Sequence, residues 1–112
     1  MRDHLGEFEQ LVLLALLRLG DDAYGVTVHR EIAERAGRDV ALGALYTTLD
    51  RLEKKGLVVS RVGAPTAVRG GRRKKLFALQ LAGRRALSRS YQTLQRMTEG
   101  LDPALLALEE GP

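Results

Sequence analysis

The chain has 112 residues, 45% of them hydrophobic, no cysteine, and a formal net charge of +4. That length suits one domain with a modest core, and the composition excludes a disordered chain. The lack of cysteine excludes a disulfide scaffold or a thiolate metal site and fits a reducing, cytoplasmic setting. The longest apolar run, Leu11 to Leu17, falls far short of the roughly 20 residues that cross a bilayer. Asp3 and Glu7 around a lone Arg2 are not a signal-peptide layout.

A first helix is expected from Leu5 to Leu19, with Phe8, Leu11, Val12, Ala15, Leu16 and Leu19 at helical spacing. Leu13, Leu14 and Leu17 make its other side apolar as well. A helix apolar all round must be covered on both sides, and a partner subunit is the expected cover. A second helix is expected from Tyr24 to Gly37, with Val28, Ile32 and Ala36 every fourth residue. A third runs from Leu42 to Lys55 on a strip of Leu42, Leu45, Leu49 and Leu52, and Gly56 stops it. The period then changes: Leu57–Val62 and Lys75–Leu79 read as strands joined by a loop rich in glycine and arginine. The last helix, Leu81 to Leu101, carries Leu87, Tyr91, Leu94, Met97 and Leu101 as a seam. Such a seam packs on its own domain or on a twin. After Asp102-Pro103, Ala104 to Leu108 has room for one or two further turns.

Charge is distributed unevenly. No Asp or Glu lies between Lys54 and Thr98, a stretch with 12 basic residues, while all 14 acids lie outside it. This is the footprint expected of a nucleic-acid binder; a surface serving solubility alone mixes both signs.

Helix, helix, helix, hairpin is the order of a winged helix-turn-helix. The expected fold is therefore mainly α with a small β-hairpin: a winged helix-turn-helix over 1–79 and a C-terminal dimerisation helix with its tail over 80–112. In such folds the second helix of the pair enters the major groove of duplex DNA. The groove side here is small or hydroxylated at Gly43, Ala44, Thr47 and Thr48, and Arg51 and Lys54 extend it toward phosphates. The hairpin tip, with Arg69, Arg72, Arg73 and Lys74, suits the backbone or the flanking minor groove.

Several runs resemble the PadR family of transcriptional regulators. They are Leu5-Gly6-Glu7-Phe8-Glu9-Gln10-Leu11-Val12-Leu13-Leu14-Ala15, Ala23-Tyr24-Gly25-Val26, the stretch from Leu42-Gly43-Ala44-Leu45-Tyr46-Thr47-Thr48 to Gly56-Leu57-Val58, Arg69-Gly70-Gly71-Arg72, and Ala82-Gly83-Arg84. The resemblance implies a homodimeric DNA-binding repressor of the branch with a single C-terminal helix, which reaches the partner's first helix. Gln80 replaces a common capping Thr, Leu76-Phe77-Ala78 replaces a tyrosine-rich strand, and no tryptophan is present for aromatic ligand stacking.

Tyr24 and Tyr46 are read as phosphate-contacting hydroxyls or as a hydrophobic anchor and a core-edge tyrosine, respectively. Gly25 is read as allowing close approach to DNA or as a plain helix-start glycine. Phe8, Leu13, Leu17, Leu87, Tyr91, Leu94, Met97 and Leu101 are assigned to a homodimer interface. His4 and His29 stand apart with no carboxylate motif, and no nucleophile, metal or phosphate-loop motif occurs, so no enzyme activity, metal or cofactor is expected. The expected partners are double-stranded DNA, a second copy of the chain and an unidentified small-molecule effector, with no membrane. Palindromic half-sites would lie about 34 Å apart, one DNA turn. The rival readings are an RNA-binding winged helix and a protein-interaction module.

Overall fold

The computed structural model describes residues 4–63 and 73–107. The elements run α1 (Glu7–Leu19), a 3₁₀ turn (Gly20–Asp22), α2 (Gly25–Ala36), α3 (Leu42–Lys54), β1 (Val58–Val62), β2 (Lys75–Leu79), α4 (Leu81–Thr98) and α5 (Pro103–Leu106).

Local chemistry sets the helix ends. At α1 the Glu9 carboxylate accepts from the Gly6 N–H at 2.9 Å, and Glu7 and Glu9 place negative charge against the positive end of the helix. At α2 the Thr27 hydroxyl oxygen accepts from the Tyr24 N–H at 3.0 Å. Gly37 closes α2 at φ 63°, and Gly56 turns the chain after α3 at φ 77°, both backbone conformations that favour glycine. The last helix begins without a side-chain cap at Gln80, whose N–H instead donates to the Leu57 carbonyl at 2.9 Å.

β1 and β2 pair antiparallel, with Val58 opposite Leu79, Ser60 opposite Phe77 and Val62 opposite Lys75. A third backbone segment joins them: the Phe77 N–H donates to the Ala23 carbonyl at 2.8 Å, and Tyr24 bridges Leu76. The core gathers one face of every main element: Val12, Leu13 and Leu16 of α1, Val28 and Ile32 of α2, Leu45, Leu49 and Leu52 of α3, Val58, Phe77 and Leu87. Three helices on a small twisted hairpin make a winged helix-turn-helix.

α4 enters the body only at its start, where Gly83, Ala86 and Leu87 are buried. Gly83 lies directly over the Leu57 carbonyl, with no space for a Cβ. From Tyr91 through Leu101 every residue is exposed, so most of α4 stands away from its own domain. The radius of gyration is 16.3 Å, against about 13 Å for a compact chain of this length. No helix among the described residues is long and apolar enough to cross a membrane.

Candidate nucleic-acid interface

The exposed side of α3 carries Leu42, Gly43, Ala44, Tyr46, Thr47, Asp50, Arg51 and Lys54. Its other side is in the core through Leu45, Leu49 and Leu52. Two sequence expectations are corrected here. Thr48, assigned to the groove side, is buried, because it lies on the helix face shared by Leu45 and Leu52. Leu42, assigned to the core strip, is 42% exposed in the first turn of the helix.

Tyr46 crosses from α3 to α2. Its hydroxyl and ring edge occupy the space where a side chain on Gly25 would stand. Gly25 is itself buried, so the close approach expected there of DNA is made by Tyr46 instead. One residue earlier, the Tyr24 ring lies under the Lys74 ammonium, 4.3 Å from ring centroid to Nζ. Lys74, Tyr24, Gly25 and Tyr46 thus form a continuous line from the wing across the start of α2 to α3. Arg73 and Lys74 are exposed at the foot of the wing; Arg69 and Arg72 lie outside the described residues.

Hydrogen bonds narrow what α3 presents. The Thr47 hydroxyl donates to the Gly43 carbonyl at 3.0 Å, and Lys54 pairs with Asp50 at 3.1 Å. The latter pair is well exposed, so a competing phosphate displaces it at small cost.

Contacts that sequence reasoning missed hold α3 in place. His29 Nε2 donates to the Val40 carbonyl at 2.6 Å, which requires the proton on that nitrogen, and so pins the connector leading into α3. Nothing in the sequence pattern links His29 to residue 40. Arg38 in the same connector pairs with Glu7 at 2.6 Å. Glu9, buried in α1, accepts from Lys55 at the end of α3 at 3.1 Å. Burial pushes the Glu9 carboxyl up, but the Gly6 N–H, Lys55 and Arg51 together outweigh it and hold the group below its ordinary value. The sequence signalled only the Gly6 contact, through a Glu at the third position after Gly6, the spacing of a capping box.

Elsewhere, α1 and α4 frame an open groove of about 510 Å³, lined by Leu14, Leu17, Leu79, Leu87, Tyr91 and Leu94 together with Gln10, Arg84 and Ser88. Leu17, Tyr91, Leu94, Met97 and Leu101 are exposed, as an interface needs before assembly. Leu13 is corrected: it is fully buried in its own domain's core, one step round the helix from exposed Leu14. Leu87 is also in that core at 9% exposure, and Phe8 packs against it. Leu14, not Leu13, is exposed and lines the groove.

Comparison with known proteins agrees with this architecture. The transcriptional regulator PadR-like family matches residues 13–89. The chain belongs to that family. A PadR family transcription regulator from Clostridium difficile superposes with a TM-score of 0.72 at 26% identity, covering 89% of this chain and 99% of that one. RosR of H. salinarum is 25% identical, with a TM-score of 0.67 over 95% of this chain and 88% of its own. A PadR-like regulator from Bacillus cereus shares the fold at 17% identity, with a TM-score of 0.69 over 94% and 93% of the two chains. No curated protein matches the chain. As a member of the PadR-like family, the protein is a DNA-binding transcriptional regulator, and the family is not one of enzymes.

Proposed function

We propose that this PadR-like protein is a repressor that binds palindromic duplex DNA as a homodimer. α3 enters the major groove and the wing reaches the flanking backbone. The observation that supports the reading is the line of contacts from Lys74 through Tyr24 and Gly25 to Tyr46, which ties the foot of the basic wing to α3. Arg51, Lys54, Arg73 and Lys74 supply phosphate attraction there, and Gly43, Ala44 and Thr47 allow close approach to base edges. Thr48 is left out because it is buried.

Residues 1–79 act as the DNA-binding unit and 80–112 as the dimerisation segment. The apolar groove between α1 and α4 supports this division, because Leu14, Leu17, Tyr91 and Leu94 otherwise remain open to water. A second copy covers them and spaces two α3 helices for successive major grooves.

The test is selection of bound duplexes from a random pool, followed by competition with structured RNA. Enrichment of an inverted repeat that RNA does not displace supports the proposal. No enrichment, or displacement by RNA at equal concentration, contradicts it.

A further inference from the structure

The helix proposed to read DNA has little free hydrogen-bonding reach where it would enter the groove. Among the exposed residues in its first two turns, the Thr47 hydroxyl proton goes to the Gly43 carbonyl, and the Tyr46 hydroxyl is seated against Gly25. Thr48 is buried. No Asn or Gln occurs on α3, and its one arginine, Arg51, stands in the last turn. Guanine is read best by an arginine or lysine fork, and adenine by an Asn or Gln amide. Neither kind of side chain stands on the half of the helix that approaches the base edges.

What Thr47 still offers is specific. Its hydroxyl bond to the helix carbonyl restricts χ1, leaving a methyl group and oxygen lone pairs for a ligand. A thymine–adenine pair shows a matching pattern in the major groove: the thymine C5-methyl, and the adenine N6 amino group as donor. A guanine–cytosine pair has the amino donor but no methyl.

We infer that Thr47 is a specificity-determining residue that selects a thymine–adenine pair in each half-site, by methyl contact and by accepting from adenine N6. Ala44, one turn earlier on the same exposed side, adds apolar surface beside it. The inference rests on the DNA-binding reading above.

5-Methylcytosine carries the same methyl, so the test has two chemical arms. On a duplex enriched by selection, each half-site thymine is replaced in turn by deoxyuridine, which removes only the methyl. Separately, cytosines are replaced by 5-methylcytosine. Binding is measured for wild type and for T47S, which keeps the hydroxyl and loses the methyl. The expected result is an enriched thymine whose replacement by uracil weakens wild type about fourfold, the factor equivalent to ~0.8 kcal/mol per buried CH₂. T47S then binds the two duplexes alike, and 5-methylcytosine brings no gain at native cytosines. Equal binding of thymine and uracil duplexes by wild type overturns the inference while leaving the DNA-binding proposal intact. So does an equal uracil penalty in T47S, or a methyl preference met only by 5-methylcytosine. A pool with no enriched duplex overturns both.

Discussion

The Tyr46 hydroxyl of α3 rests against the bare backbone of Gly25 at the start of α2, in the space a Cβ would fill. This contact fixes how the two helices of the helix-turn-helix meet. Gly25→Ala forces Tyr46 out and is expected to destabilise the fold by about 1–3 kcal/mol, the usual range for overpacking. Adding Tyr46→Ala removes the obstruction, so the double variant loses less than the sum of the two single changes. Thermal unfolding of the four proteins measures the coupling; strict additivity would show that the two residues do not interact.

Two other glycines separate folding from binding. A Cβ on Gly83 meets the Leu57 carbonyl and comes within 3.2 Å of Leu79 Cδ2, and backbone cannot swing aside as a side chain end can. Gly83→Ala is expected to cost ~2 kcal/mol or more. Gly43 has nothing within 4 Å of a Cβ position. Gly43→Ala should stabilise α3 by up to about 1 kcal/mol through helix propensity, while weakening DNA binding by filling the space between α3 and the groove. Melting curves and gel retardation on the same two variants check this, and tighter DNA binding by G43A would count against a groove-facing Gly43.

How much of the fold and site is legible in the sequence depends on what a helical period can reveal. Lys75–Leu79 and the start of α4 at Leu81 are readable because composition and period change there. Thr48 is misplaced by the pattern because the leucine spacing marks the centre of the buried face but not its width. Leu13 and Leu14 differ by one step on a helix apolar all round, so only the packed neighbours decide which faces the core. The bonds from His29 to Val40 and from Glu9 to Lys55 span 11 and 46 residues, beyond any local pattern.

Glu9 gives the fold a defined acid sensitivity. Its folded-state pKa is lowered from an ordinary value of 4.5, so its stabilisation is fully present above that value. It is lost as pH falls through the lower folded pKa. Glu9→Gln should destabilise by about 1–3 kcal/mol at pH 7, because Lys55 loses its charged acceptor and the carboxylate bond to Gly6 is gone. Urea midpoints should show wild type and variant converging as pH drops below 4.5. A constant gap between them across that window would contradict the assignment.

Tyr24 is expected to act on DNA binding largely through its ring, which carries Lys74. Tyr24→Phe keeps the ring and should bind DNA nearly as wild type does. Tyr24→Leu removes it, should weaken affinity several-fold, and should add little to Lys74→Ala in a double variant. Equal losses in Tyr24→Phe and Tyr24→Leu would instead identify the hydroxyl as the contacting group.

The proposed dimer is tested by Leu14→Glu and Leu94→Glu, both at exposed positions lining the groove between α1 and α4. A charge there leaves the protomer core untouched and should shift sedimentation from dimer to monomer. Unchanged dimer mass in both variants would place the interface elsewhere.

The most direct test of the central claim is the salt dependence of binding to a selected palindromic duplex. Two basic surfaces that each engage several phosphates should lose about 10³- to 10⁵-fold in affinity between 50 and 200 mM salt. Lys74→Ala should flatten that slope by about one for each phosphate left without its lysine. An affinity that does not change with salt, or a slope untouched by Lys74→Ala, would contradict the account of a wing and recognition helix acting together on DNA.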